Sequence, residues 1–133
     1  MQMILAYWCV LIAAFMPVAF VAYAKFAGGS RRMDLADNHH PRAWLEQTEG
    51  AQKRAYWAQL NSFEAFPAFA AGVIIAVISG GSIGAINVFA VLFVLLRIAY
   101  GWCYITDRAT ARSLVWFGAT ACTIALFLVA AIG

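Results

Sequence analysis

Two stretches of the chain place reactive side chains in otherwise apolar surroundings: RAYWAQLNSFEAFPAF, residues 54–69, and RIAYGWCYITDRATARSLVWF, residues 97–117. The first holds an amide at Asn61, a carboxylate at Glu64 and a proline at Pro67. On a helix turning about 100° per residue, Arg54, Trp57, Asn61, Glu64 and Ala68 share a stripe about 80° wide. Arg97, Tyr100 and Tyr104 share another, about 60° wide, on the second stretch. Glu64 lies eleven residues after Lys53, and Arg97 eleven before Arg108. At about 1.5 Å per residue both sit roughly 16 Å from one membrane boundary. An acid and a base at matched depth can neutralise each other as a structural pair, or jointly hold a zwitterionic ligand. Leaving either in lipid costs roughly 2.5–3.5 kcal/mol even on a lenient scale, so the stripes should face each other or another subunit. Pro67 lacks an N–H and crowds the Phe63 carbonyl, which opens the backbone beside Glu64.

Other candidate chemistry is thinner. Cys9, Cys103 and Cys122 are odd in number, lie in apolar runs and have no metal-ligand spacing, so they read as small buried hydrophobes. His39 and His40 have no third ligand at a helical or hairpin spacing, and a solvated loop without metal is expected. The basic residues are not interleaved as a nucleic-acid surface would require, so the small net charge of +3 reflects membrane topology.

The elements that must position these residues follow from composition. Of 133 residues, 65% are hydrophobic and only 11% charged, with a mean hydropathy of +0.80. A soluble domain of that size cannot hide so much apolar surface, so lipid is the solvent for most of it. Four runs suffice to span a bilayer, with helices expected at about 3–26, 53–79, 82–106 and 109–132 in a single domain over residues 1–133. AYA at 22–24 has the look of a signal-peptidase site, but the run before it is too long and lacks a basic start. A retained first helix, bent at Pro17, is expected. Lys25, Arg31, Arg32, Arg42, Lys53 and Arg54 cluster around the first connection, and Arg108 and Arg112 at the third. The second turn, SGGSIG, has none, nor has either terminus. Loops 28–50 and 105–109 are therefore expected in the cytoplasm and both termini on the opposite side.

With these residues assembled, the chain resembles the MAPEG superfamily of membrane-associated proteins in eicosanoid and glutathione metabolism, most closely its bacterial branch. The resemblance rests on the Asn-x-x-Glu-x-x-Pro core at 61–67, Arg54 seven residues before the Asn, and Arg-x-x-Tyr-x-x-x-Tyr at 97–104. It implies an all-α integral membrane protein, a homotrimer of four-helix subunits in a bacterial inner membrane, with glutathione bound in cytoplasm-facing clefts between subunits. By position, Arg54, Gln59, Asn61, Glu64, Arg97, Tyr100 and Tyr104 would contact glutathione, and Arg112 would face its thiol as the catalytic residue. Trp57 departs from the pattern, standing where glutathione-using members often have a basic residue.

The chemistry suits the ligand independently. Arginines bind glutathione's carboxylates, Glu64 its ammonium, and Asn61 and Gln59 its peptide groups. A guanidinium beside the thiol favours the nucleophilic thiolate, which lipophilic electrophiles reach through the bilayer. The expected function is a glutathione-dependent transferase, with peroxidase activity towards lipid hydroperoxides a further option. The competing reading is a non-catalytic trimer that binds lipid or a partner protein, its polar stripes acting as structural glue. A small proton-coupled exporter would explain Glu64 but not the Arg97–Tyr100–Tyr104 stripe.

Overall fold

The computed structural model describes residues 4–27, 29 and 31–133. Among them are five α-helices: α1 (Leu5–Phe26), α2 (Pro41–Glu46), α3 (Gly50–Ile78), α4 (Ile83–Ile105) and α5 (Ala109–Ile132), with a short 3₁₀ turn at Asp37–His39. All but α2 are long and apolar enough to cross a membrane. Residues such as Phe15, Ile78, Leu95, Phe117 and Leu128 remain exposed on them, as a lipid-facing surface requires. α3 and α4 form the middle of the bundle, each packing on both α1 and α5.

Short turns make α3, α4 and α5 successively antiparallel. After α3, Gly80 takes a left-handed conformation (φ +77°), and the Gly80 and Gly81 amides return to the Val77 and Ala76 carbonyls. The turn after α4 closes in the same way, with Asp107 and Arg108 donating to Tyr104 and Cys103. Here the left-handed position (φ 60°) belongs to Asp107, where glycine is usual. Asn87 of α4 accepts from the Ala6 amide at 2.9 Å, giving α1 the cap its own sequence lacks.

The core is built from small residues and stacked rings. Phe69 and Phe93 lie parallel, 3.9 Å between centroids, joining α3 to α4. Gly101 leaves room for the Phe20 ring of α1, which a Cβ there would meet. Pro17 is buried in α1 and Pro67 exposed on α3, and both helices run on through them. Cys9, Cys103 and Cys122 are buried and unpaired.

The first connection differs most from expectation. In place of an open loop it carries the 3₁₀ turn and α2, and α3 begins three residues before the expected 53. Pro41 opens α2, and Trp44 and Leu45 bury themselves with Ala24, Ala55 and Tyr56. Gln52, buried, donates from Nε2 to the Ala24 and Arg31 carbonyls, tying the end of α1 to α3. His39 and His40 are exposed at the junction of the turn and α2. The expected loop also includes Gly28 and Ser30, which lie outside the described residues.

Candidate functional site

The polar stripes of α3 and α4 meet, but not as a direct ion pair. Arg97 is 2% exposed, and its Nη2 donates to Asn61 Oδ1 at 2.8 Å and to Ser62 Oγ at 3.5 Å. Asn61 in turn donates from Nδ2 to Glu64 Oε2 at 3.1 Å. The ion pairs among the described residues are Arg31–Asp37 and Lys53–Glu46, so of the two arrangements open from sequence the direct Glu64–Arg97 pair does not form, and an amide stands between the two charges. Glu64 itself is exposed, with Oε1 free of any protein donor. Its charge is thus available to something outside the protomer.

Cations and rings alternate from this relay towards the loop end. The Arg97 guanidinium lies 4.1 Å from the Tyr100 ring centroid. Tyr100 meets Tyr104 edge to face at 5.6 Å, and the Arg112 guanidinium sits 4.4 Å from the Tyr104 ring. Arg112 lies in the first turn of α5, and this contact brings it to the same stripe as the tyrosines. Trp57 packs against Tyr104 at 6.2 Å and carries the Lys53 ammonium 5.8 Å from its own ring. Each such contact is worth about 0.5–2 kcal/mol, depending on desolvation. A positive charge therefore lies beside Trp57.

Two hollows share Asn61 and Glu64. One, about 350 Å³, is lined by these two with Trp57, Leu60, Tyr100 and Tyr104. The other, about 160 Å³, lies between α3, α4 and α5, with Arg97, Trp116, Thr120 and Thr123 among its walls. The structure thus brings together Asn61, Glu64, Arg97, Tyr100, Tyr104 and Arg112.

Arg54 and Gln59 are placed elsewhere. Arg54 donates from Nε and Nη2 to the Ile105 carbonyl at 3.1 and 2.9 Å, where a cation suits the C-terminal end of the α4 dipole. Gln59 is about 200° around α3 from Asn61. It lines a third hollow of about 420 Å³ that includes Lys25, Arg42 and Tyr56. Trp116, Thr120 and Thr123 were not singled out from sequence, where Lys53 marks only depth and orientation. The two threonines carry no charge and look like ordinary α5 residues until α3 and α4 are packed beside them.

Among the described residues no group of three His, Cys, Asp or Glu side chains could hold a metal ion. A family model described as "MAPEG family" matches residues 5–132. Comparison with curated proteins finds no match.

Proposed function

Since the chain belongs to the MAPEG family, which includes glutathione transferases and peroxidases among other members, we propose that it is a membrane-embedded glutathione-dependent transferase acting on lipophilic electrophiles. The observation that carries this reading is an exposed Glu64 carboxylate joined to a buried arginine only through Asn61, at the head of a ladder that ends on Arg112. A structural ion pair would have closed directly. The open oxygen of Glu64 suits an ammonium, the tyrosine hydroxyls and Asn61 suit peptide groups, and Arg112 suits a thiolate.

Glutathione is held here in a cleft between two protomers of a homotrimer. Support comes from α3 itself: Asn61 and Gln59 point to opposite sides, so no ligand of one protomer spans both. A neighbouring copy that sets its Lys25–Arg42–Gln59 hollow against the Asn61–Glu64 groove supplies the missing amide and two cations for a carboxylate. In this account the cleft opens to the cytoplasm, the side that the one-sided Lys and Arg distribution favours for this end of the bundle. Arg54 remains a cap on α4 in this account.

In the reaction the thiol, with an ordinary pKa of about 8.5, loses its proton to solvent while the Arg112 guanidinium favours the thiolate. The sulfur lone pair attacks the electrophilic carbon, a C–S bond forms, and the leaving group departs with its electron pair. A depression of two pKa units corresponds to about 2.7 kcal/mol of differential interaction. Thiolate absorbance of bound glutathione against pH tests the role. Arg112→Ala should titrate near the free thiol and lose most turnover at neutral pH, with partial recovery at higher pH. Arg108→Ala, whose side chain is exposed at the turn, is the control and should behave as wild type. Bound glutathione that titrates alike in all three would leave Arg112 an interfacial anchor and favour the non-catalytic binding trimer.

A further inference from the structure

Hydrocarbon supplies no hydrogen bonds, so polar groups at membrane depth need partners from protein or from water. The 160 Å³ hollow between α3, α4 and α5 has largely apolar walls, Ala65, Ala68, Phe93 and Ala119 among them, but Glu64, Arg97, Thr120 and Thr123 also border it with bonding capacity the protein leaves unspent. All Arg97 hydrogen bonds leave from Nη2, so Nε–H and the Nη1 hydrogens have no acceptor among the described residues. Yet no enclosed side-chain nitrogen or oxygen among those residues lacks a partner. These N–H groups therefore reach open space, and Arg97 borders this hollow together with a water-sized pocket of about 10 Å³ beside Ser62. Glu64 Oε1 is free, and the Thr120 and Thr123 hydroxyls do not bond back to their helix as those of Ser62 and Thr106 do.

We propose that this hollow is a hydration chamber, holding a cluster of water molecules at membrane depth between the Glu64 carboxylate, the Arg97 guanidinium and the hydroxyls of Thr120 and Thr123. Its volume is well above the roughly 10–15 Å³ of such space that one water needs, so it admits several. A lipid tail of matching size would leave the free Arg97 N–H groups and the two threonine hydroxyls without a partner, so an apolar occupant is disfavoured. Water bridges let Glu64 and Arg97 remain charged without touching. Because Asn61 and Glu64 also line the ligand groove, an arriving ammonium displaces water on one side of the carboxylate while the other stays solvated. The chamber does not depend on what the groove binds.

Cysteine accessibility in nanodiscs tests it, because only a hydrated thiolate attacks a methanethiosulfonate. Thr123→Cys is exposed to a small membrane-impermeant reagent, and modification is read by peptide mass spectrometry. Native Cys122, which is buried, serves as a dry control, and Ile124→Cys, at the same depth on an exposed face, as a lipid-facing one. Thr123→Cys should react at least about tenfold faster than either, and adding Ala119→Leu, which fills the hollow, should remove that excess. Equal rates at all three positions in a folded protein would overturn the proposal. Should Thr123→Cys fail to fold, Thr120→Cys, about one turn nearer the groove, is judged by the same comparison.

Discussion

Arg97 and Glu64 do not touch; Asn61 stands between them, accepting from one at 2.8 Å and donating to the other at 3.1 Å. This arrangement separates two roles that sequence spacing leaves merged. Arg97 is committed to the packing of α3 against α4, whereas Glu64 presents a free oxygen outward. Losing the Asn61 amide should therefore harm the fold more than losing the Glu64 charge.

Asn61→Ala removes the strongest acceptor of a buried guanidinium, and hydrogen bonds to charged groups contribute about 1.5–3 kcal/mol. Thermal denaturation in detergent should show a loss of that order without ligand. Glu64→Gln should change the ligand-free transition little, because the glutamine still accepts from Asn61 Nδ2.

Gly101 should accept a side chain only if the Phe20 ring moves aside. Gly101→Ala places a methyl group against the Phe20 ring, and overpacking of this kind costs about 1–3 kcal/mol. Phe20→Leu in the same protein should recover part of the lost stability, while Phe20→Leu alone is destabilising.

The turn at Asp107 predicts a different ordering. A left-handed backbone costs an ordinary side chain roughly 1–2 kcal/mol, with less strain for Asp and none for Gly. Asp107→Ala should lower the melting temperature, and Asp107→Gly should match or exceed the parent protein.

Outside the membrane, α2 is latched to α3 through Glu46, which accepts from the Tyr56 hydroxyl at 3.0 Å and pairs with Lys53 at 3.2 Å. The Tyr56 hydrogen bond, then Lys53, hold its carboxyl below the ordinary 4.5. A carboxyl depressed on folding stabilises fully above its unfolded value and loses that contribution as pH falls through the folded one. Hydrogen exchange at residues 41–47 should be flat from neutral pH down to about 5 once corrected for intrinsic rates. It should rise only at more acid pH. Glu46→Gln should make it insensitive to pH throughout.

The span-forming elements were legible because their signal is simple: uninterrupted apolar runs of bilayer length, broken by SGGSIG and TDRAT. The polar stripes were legible too, since Asn61, Glu64, Arg97, Tyr100 and Tyr104 repeat at helical spacing in apolar surroundings. What spacing could not supply was who bonds whom. Matched depth paired Arg97 with Glu64, but depth carries no information on an amide lying between them. Arg54 shares the azimuth of Asn61, yet it lies near the end of α4, where the Ile105 carbonyl claims it. Gln59 requires a face of α3 that one protomer does not join to Glu64. The helix α2 was missed because six residues carry too little periodicity, although Pro41 before Trp44 and Leu45 was a usable sign.

The central claim is that Glu64 serves a ligand's ammonium, and calorimetric titration with glutathione tests it most directly. Wild-type protein should bind glutathione and S-hexylglutathione. Glu64→Gln, still folded with an unshifted melting transition, should weaken both by at least about tenfold, or about 1.4 kcal/mol. Binding to wild type and Glu64→Gln with equal affinity, or no heat of binding to folded wild type, would contradict the account.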